Sequence, residues 1–177
     1  ENWVILSADY SQVELRIMAH YSKEPELIQA FEDDVDIHSR TAALVNDIQV
    51  SDVTPEQRRS AKVVNFGIMY GAGPYRMSQE LGISMEESKR LIEHYFITYP
   101  GIRRYMDETI HNALDNGYVE TLYKRRRQTL NLRASNKNIV KAEERVAINM
   151  PIQGTAADLI KIAMINIHER MKSENYK

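Results

Sequence analysis

The chain has no cysteine in its 177 residues, which excludes a disulfide scaffold and any zinc site built on thiolates, and suits a reducing compartment. No apolar run approaches the roughly 20 residues of a membrane span, and the N-terminus lacks the charged-then-apolar pattern of a signal peptide. The expected setting is cytoplasmic, in a soluble protein with no membrane contact. No internal repeat, low-complexity tract or linker is evident among its few glycines and prolines. Charge of one sign is also missing: a net charge of -2 argues against a globally basic nucleic-acid binder.

What is present is ordinary in amount and uneven in place. With 43% hydrophobic and 27% charged residues the chain can bury one real core. Glu24 to Asp36 is rich in acids. Lys124, Arg125, Arg126, Arg127, Arg133, Lys137 and Lys141 form a basic region, readable as a phosphate track or as a solvated loop. The chain starts abruptly in strand-like residues and stops at Lys177 in a polar helical stretch without a stop signal, which points to a fragment of something longer.

Trp3 to Ala8 is a near-continuous apolar run that predicts a short buried strand delivering Asp9 at its end. Ser11 and Glu14 have capping-box spacing, opening a helix through Tyr21. Helices are expected over about 24–32, 36–46, 56–70, 75–82, 85–97 and 102–115, with stops at Tyr70-Gly71, Tyr99-Pro100-Gly101 and Asn116-Gly117. Tyr118–Tyr123 and Gln128–Leu132 predict a hairpin around the basic cluster. A last helix over about 138–172 should be irregular near Pro151 and Gly154. The fold class expected is α+β with helices dominating.

Arg58, Lys62, Phe66 and Tyr70 stand four residues apart, so on a helix two cations and two rings form one stripe. Each step drifts only about 40° around the axis, and the stripe runs roughly 18 Å. Ala61, Val64 and Ile68 fall on the other side as a seam to bury. Such a stripe can hold a nucleotide, or it can be an ordinary amphipathic face with snorkelling cations. Asp9 alone is a common turn former. In company it completes a chemistry: a carboxylate for Mg²⁺, cations for a triphosphate, a ring for a base or sugar. Arg145, Asn149 and Gln153 repeat the spacing with polar groups. They could meet minor-groove acceptors, which sit in nearly equivalent places at every base pair, or simply face solvent.

Two long segments carry a resemblance. Asp9-Tyr10-Ser11-Gln12-Val13-Glu14-Leu15-Arg16 resembles motif A of the DNA polymerase I family, family A, and Arg58 through Gly71 resembles its motif B, the fingers helix. Asp36-Ile37-His38 with Thr41-Ala42, Thr121 to Arg127, and Glu144 through Asp158 resemble further family segments in the same order. The resemblance implies that Asp9, with the Tyr10 carbonyl, would bind two Mg²⁺ ions. Gln12, His38, Arg58 and Lys62 would lie at the incoming deoxynucleoside triphosphate, with Phe66 against its sugar and Tyr70 near the templating position. Lys62 could also protonate the departing pyrophosphate. Glu14 would crowd a ribose 2′-hydroxyl, in competition with its capping-box reading. Arg125, Arg126, Arg145, Asn149 and Gln153 would contact primer-template DNA.

It also implies an architecture: 1–23 as palm strand and the start of the motif A helix, 24–117 as fingers, 118–177 as the return to an antiparallel palm sheet, incomplete here. The family's His-Asp-Glu motif, which holds its second catalytic carboxylate, is not in this sequence. The 177 residues alone are therefore expected to be inactive and the parent protein, a monomer, to be the enzyme. Gln128-Thr129-Leu130 also departs from the family's usual continuation. Two rivals remain: a single-subunit RNA polymerase, disfavoured by Glu14 with Phe66, and a non-catalytic helical nucleic-acid-binding module.

Overall fold

The structure, a computed structural model, describes residue 5 and residues 7–174. Among them it is a helical α+β assembly. Helix α1 (Val13–Ser22) buries Leu15, Ile17, Met18 and Ala19. α2 (Pro25–Glu32) opens on a proline, whose missing N–H has no intrahelical partner to lose at that position. α3 (Ile37–Asn46) is capped by the Asp36 carboxylate, which accepts from the Ser39 N–H at 2.7 Å.

α4 (Pro55–Met69) starts with a reciprocal capping box between Thr54 and Gln57. Its seam of Ala61, Val64 and Ile68 is buried, as the periodicity requires. It stops at Tyr70 and Gly71, where a φ of +70° favours a residue without Cβ. α5 (Pro74–Leu81) and α6 (Met85–Thr98) pack together, and α6 buries Tyr95 and hands Tyr99 to the next junction. α7 (Pro100–Asn116) leads into a two-stranded antiparallel sheet, β1 (Tyr118–Glu120) and β2 (Arg126–Gln128), with Val119 opposite Arg127. α8 (Lys137–Ser173) closes the chain with 37 residues.

α3 lies on α4, while α1 lies against both α7 and α8. The main core runs through Met18, Leu27, Ile37, Met69, Ile102 and Ile152, and a small satellite of Ala113, Val119, Leu132 and Ala147 sits under the sheet. Glu24, 2% exposed, is buried where the starts of α2 and α7 meet. Its carboxylate accepts from the Gly101 N–H at 2.6 Å, which answers one of the free amides at the head of α7.

Several expectations are corrected. Trp3, Val4 and Leu6 of the expected buried strand lie outside the described residues; Ile5, Ser7 and Ala8 are exposed and not in a strand. Among the described residues no strand pairs with them, and the sheet there consists of β1 and β2. The Ser11–Glu14 capping box does not form. Gln12 is the N-cap, in the left-handed region at φ 53°, with no side-chain cap bond, because the Glu14 carboxylate is recruited by Tyr70, 56 residues away. The second strand is Arg126–Gln128, inside the basic cluster, and Leu130–Arg133 is a 3₁₀ turn. There Glu120 pairs with Lys124 and Arg126, which draws the strand into the charged residues. The irregularity expected near Pro151 and Gly154 does not interrupt α8, which runs as one helix from Lys137 to Ser173.

Candidate functional site

The stripe on α4 exists as spaced. Arg58 and Lys62 are exposed, while Phe66 and Tyr70 are half-buried. The Phe66 ring lies 6.0 Å from that of Tyr70 and 5.8 Å from that of His38. His38 comes from the first turn of α3, so two helices build one surface. Burial disfavours the imidazolium and lowers the pKa of His38, Arg58 and Lys62 push the same way, and Asp36 opposes them.

Asp36 is a partner of Arg58 that the sequence reading did not assign. The guanidinium donates from Nε to Oδ1 at 3.0 Å and from Nη2 to Oδ2 at 2.8 Å, a two-pronged ion pair. Burial alone would raise the Asp36 pKa; the bonds from Arg58 and Ser39 outweigh it and bring it down to about 2. A carboxylate depressed in the folded state contributes stability above its unfolded pKa and loses it as pH falls through the folded value. Asp36→Ala is expected to lower stability by about 1–2 kcal/mol at neutral pH, for a lost cap and a half-exposed ion pair. In denaturant titrations the gap to the parent protein should narrow from the usual carboxylate pKa of 3.8 towards about 2. A gap constant with pH would mean that the charge contributes nothing.

At the other end of the stripe Tyr70 joins three elements. Its hydroxyl donates a short hydrogen bond to Glu14 on α1, and its backbone carbonyl accepts from Asn149 Nδ2 on α8 at 3.4 Å. Gln153, one turn beyond Asn149 on α8, lies near the Tyr70 side chain. Burial, then the Glu14 carboxylate, raise the phenol's pKa to about 12, so the proton stays on the oxygen. The polar row on α8 thus faces the end of α4. A Cβ on Gly71 would lie 2.8 Å from Arg145 Cγ, so the Arg145 stem covers the turn.

Asp9 and Tyr10 are exposed ahead of α1, beside Ile160, Ala163, Met164 and Ile167 of α8. Gln12 Oε1 is buried with no partner among the described residues. The basic residues are more engaged than a free phosphate track would be. Arg125 donates to Asp158 at 2.9 Å and to the Gly154 carbonyl at 2.9 Å. Arg126 pairs with Glu120 at 3.3 Å and lies over the Tyr118 ring at 4.3 Å. The structure therefore brings together Glu14, His38, Arg58, Lys62, Phe66 and Tyr70 with Arg145, Asn149 and Gln153, and leaves Arg125 and Arg126 at the sheet. Among the described residues no three of His, Cys, Asp or Glu converge as metal ligands, and no helix is long and apolar enough to cross a membrane.

Known proteins supply the context. The family model described as DNA polymerase family A matches residues 1–177. DNA polymerase I of Streptococcus pneumoniae is 50% identical over 178 residues, covering 100% of this chain and 20% of that protein. DNA polymerase I of Caldicellulosiruptor bescii is 47% identical over 174 residues, 98% of this chain and 20% of that protein. The POL domain of Pol1 from M. smegmatis, solved in complex with DNA primer-template and dNTP, superposes with a TM-score of 0.91 at 43% identity. It is covered over 30% of its length by 94% of this chain. The chain thus spans about a fifth of the length of the curated relatives it matches.

Proposed function

The chain belongs to DNA polymerase family A, and from that membership we propose that its parent protein adds deoxynucleotides to a primer 3′ end, directed by a template, and releases pyrophosphate. The observation that carries the reading is the joint surface of α3 and α4, where His38, Arg58 and Lys62 stand beside Phe66 and Tyr70. Cations take the triphosphate, Phe66 takes the sugar, and Tyr70 stands next to Glu14 at the far end. Lys62 neutralises or protonates the departing pyrophosphate. Gln12 lies at the nucleotide side of the α1 entrance. Arg145, Asn149 and Gln153 meet the primer-template, with Arg125 and Arg126 near its backbone.

Residues 24–117 are read as fingers, and 1–23 with 118–177 as palm. Mg²⁺ is the cofactor expected of the family, and Asp9 with the Tyr10 carbonyl is this chain's contribution to it. The described residues do not make up a two-ion site, since no three His, Cys, Asp or Glu side chains converge among them. The protein is read as cytoplasmic and monomeric. Primer-template DNA and deoxynucleoside triphosphates are its partners.

Glu14 provides a test. The capping box is unformed and the carboxylate is held by Tyr70, which supports reading Glu14 as the group that crowds a 2′-hydroxyl. Glu14→Ala in the full-length protein is expected to raise ribonucleotide incorporation relative to deoxynucleotide by about 10²-fold or more, the size of one well-placed rejecting contact. Measured in primer extension, unchanged sugar selectivity would remove the gate. Failure of the parent protein to extend any primer would remove the enzyme and favour a binding module.

A further inference from the structure

A polar side chain stands inside the apolar seam of α4. Asn65 is fully buried between Val64 and Ile68, where an unpaired amide would be expensive. Its Nδ2 lies 3.1 Å from His38 Nδ1 and 3.1 Å from Thr41 Oγ1, and its Oδ1 lies 3.2 Å from the same hydroxyl. Thr41 is itself fully buried and lies 3.0 Å from the Tyr99 hydroxyl. The family resemblance gives roles to His38 and to the cations, and none to this chain of groups behind them.

The donors can be traced along it. Tyr99 keeps its proton, since burial pushes its pKa to about 12. If Tyr99 donates to Thr41, the Thr41 hydroxyl is free to donate onward to Asn65 Oδ1. The amide's NH₂ then faces His38, and an NH₂ can only donate. The imidazole nitrogen it meets must be an acceptor, and in a neutral imidazole the other nitrogen then carries the proton.

We infer that Asn65 is a positioning residue for His38: its amide N–H, oriented by Thr41 and Tyr99, occupies Nδ1 and leaves Nε2–H as the donor to the phosphates of the incoming nucleotide. The inference rests on the proposed place of His38 at the triphosphate. The charged groups around the ring are Asp36 on its own helix cap and Arg58 and Lys62 from α4. None of them sets the tautomer, because none is the partner of Nδ1. A purely structural network would hold α3, α4 and the α6–α7 junction together whether or not His38 meets a nucleotide, so its loss would lower stability without changing nucleotide binding through His38.

The experiment reads the nitrogens directly. In full-length protein labelled with ¹⁵N-histidine, with His38→Gln identifying the resonance, Nδ1 should report as unprotonated and Nε2 as protonated at neutral pH. Asn65→Asp replaces a donor by a carboxylate, so Nδ1 should become protonated and His38 should titrate higher. In a second arm, Asn65→Ala should weaken binding of a deoxynucleoside triphosphate in single-turnover extension about tenfold, the size of one hydrogen bond to a charged group. It should add no further loss in a His38→Gln background. Nitrogen shifts identical in the parent, Asn65→Ala and Asn65→Asp proteins overturn the inference, and so does a loss that adds fully to that of His38→Gln. If His38→Gln leaves nucleotide binding intact, the triphosphate reading fails, while the nitrogen shifts still decide what Asn65 does. Should the Asn65 variants not fold, Thr41→Val removes the orienting hydroxyl and is expected to mix the two tautomers. A single unchanged tautomer there overturns the inference.

Discussion

Lys62→Ala is expected to slow nucleotide addition by the full-length protein about 10²–10⁴-fold, the span typical of a positioned acid or a charge stabiliser. The fold should be unaffected. Lys62 is exposed on α4, it lies off the buried seam, and no ion pair holds it among the described residues. Arg58, one turn earlier, is tied to Asp36 by two hydrogen bonds. The two cations of the stripe are thus unlike: one is anchored and the other is free to follow a developing charge. Lys62→Arg separates the two roles that the amine can play. Arg keeps the positive charge but does not release its proton, so a rate close to that of the parent protein would assign Lys62 to charge alone. A loss as deep as that of Lys62→Ala would assign it to proton transfer. Single-turnover rates at saturating nucleotide are the measurement, and an unchanged rate in both variants would take Lys62 out of the chemistry.

The largest effect on stability is expected at Gly101→Ala. A Cβ there would lie 2.8 Å from Glu24 Oε2, 2.9 Å from the Ser22 carbonyl oxygen and 3.2 Å from Glu24 Cα. The side-chain oxygen could retreat, but the backbone of the α1–α2 connection could not do so without disturbing the head of α2. Retreat would also break the 2.6 Å bond that Glu24 accepts from the Gly101 N–H. Overpacking of this kind costs about 1–3 kcal/mol, and the loss of a buried hydrogen bond to a charged group about 1.5–3 kcal/mol more. Denaturant unfolding should place the variant about 3–5 kcal/mol below the parent chain. A loss under about 1 kcal/mol would mean that the junction opens easily. Glu24→Gln, which keeps an oxygen to accept the bond, should lie between the two.

The helices were legible because periodicity and caps agree along most of the chain. Ala61, Val64 and Ile68 mark the buried side of α4, and Gly71, Gly82 and Gly117 end helices or begin turns at positive φ. The errors fall where distant residues outvote local ones. Ser11 and Glu14 have the spacing of a cap, but a phenol delivered by α4 takes the carboxylate. Gln128–Leu132 has the side chains of a strand, yet pairing begins at Arg126, where Glu120 can meet the charge. The bonds of Arg125 to Asp158 and Gly154, 33 and 29 residues further on, are likewise absent from any local pattern.

The stripe and the polar row of the candidate site could be read from steps of four. Their mutual approach could not, because no local pattern says that Asn149 will reach the Tyr70 carbonyl. Nor could the Asp36–Arg58 pair, which joins residues 22 positions apart. Asn65 did leave a trace, as the one amide in an apolar seam. Such a residue is a signal whenever its helix buries the face on which it stands.

α8 has one further consequence. Within a single uninterrupted helix it touches the Tyr70 turn through Asn149, the α1 phenol Tyr21 through Thr155, the sheet through Asp158, and the Asp9–Tyr10 approach through Ile160 to Ile167. It works as a graduated rail: each residue is a mark about 1.5 Å along and about 100° around from the last. Substitution changes what stands at a mark, whereas one residue added between Asn149 and Ile160 would turn every later mark away from its partner. The length of this stretch is therefore a tighter constraint on the site than the identity of most of its residues.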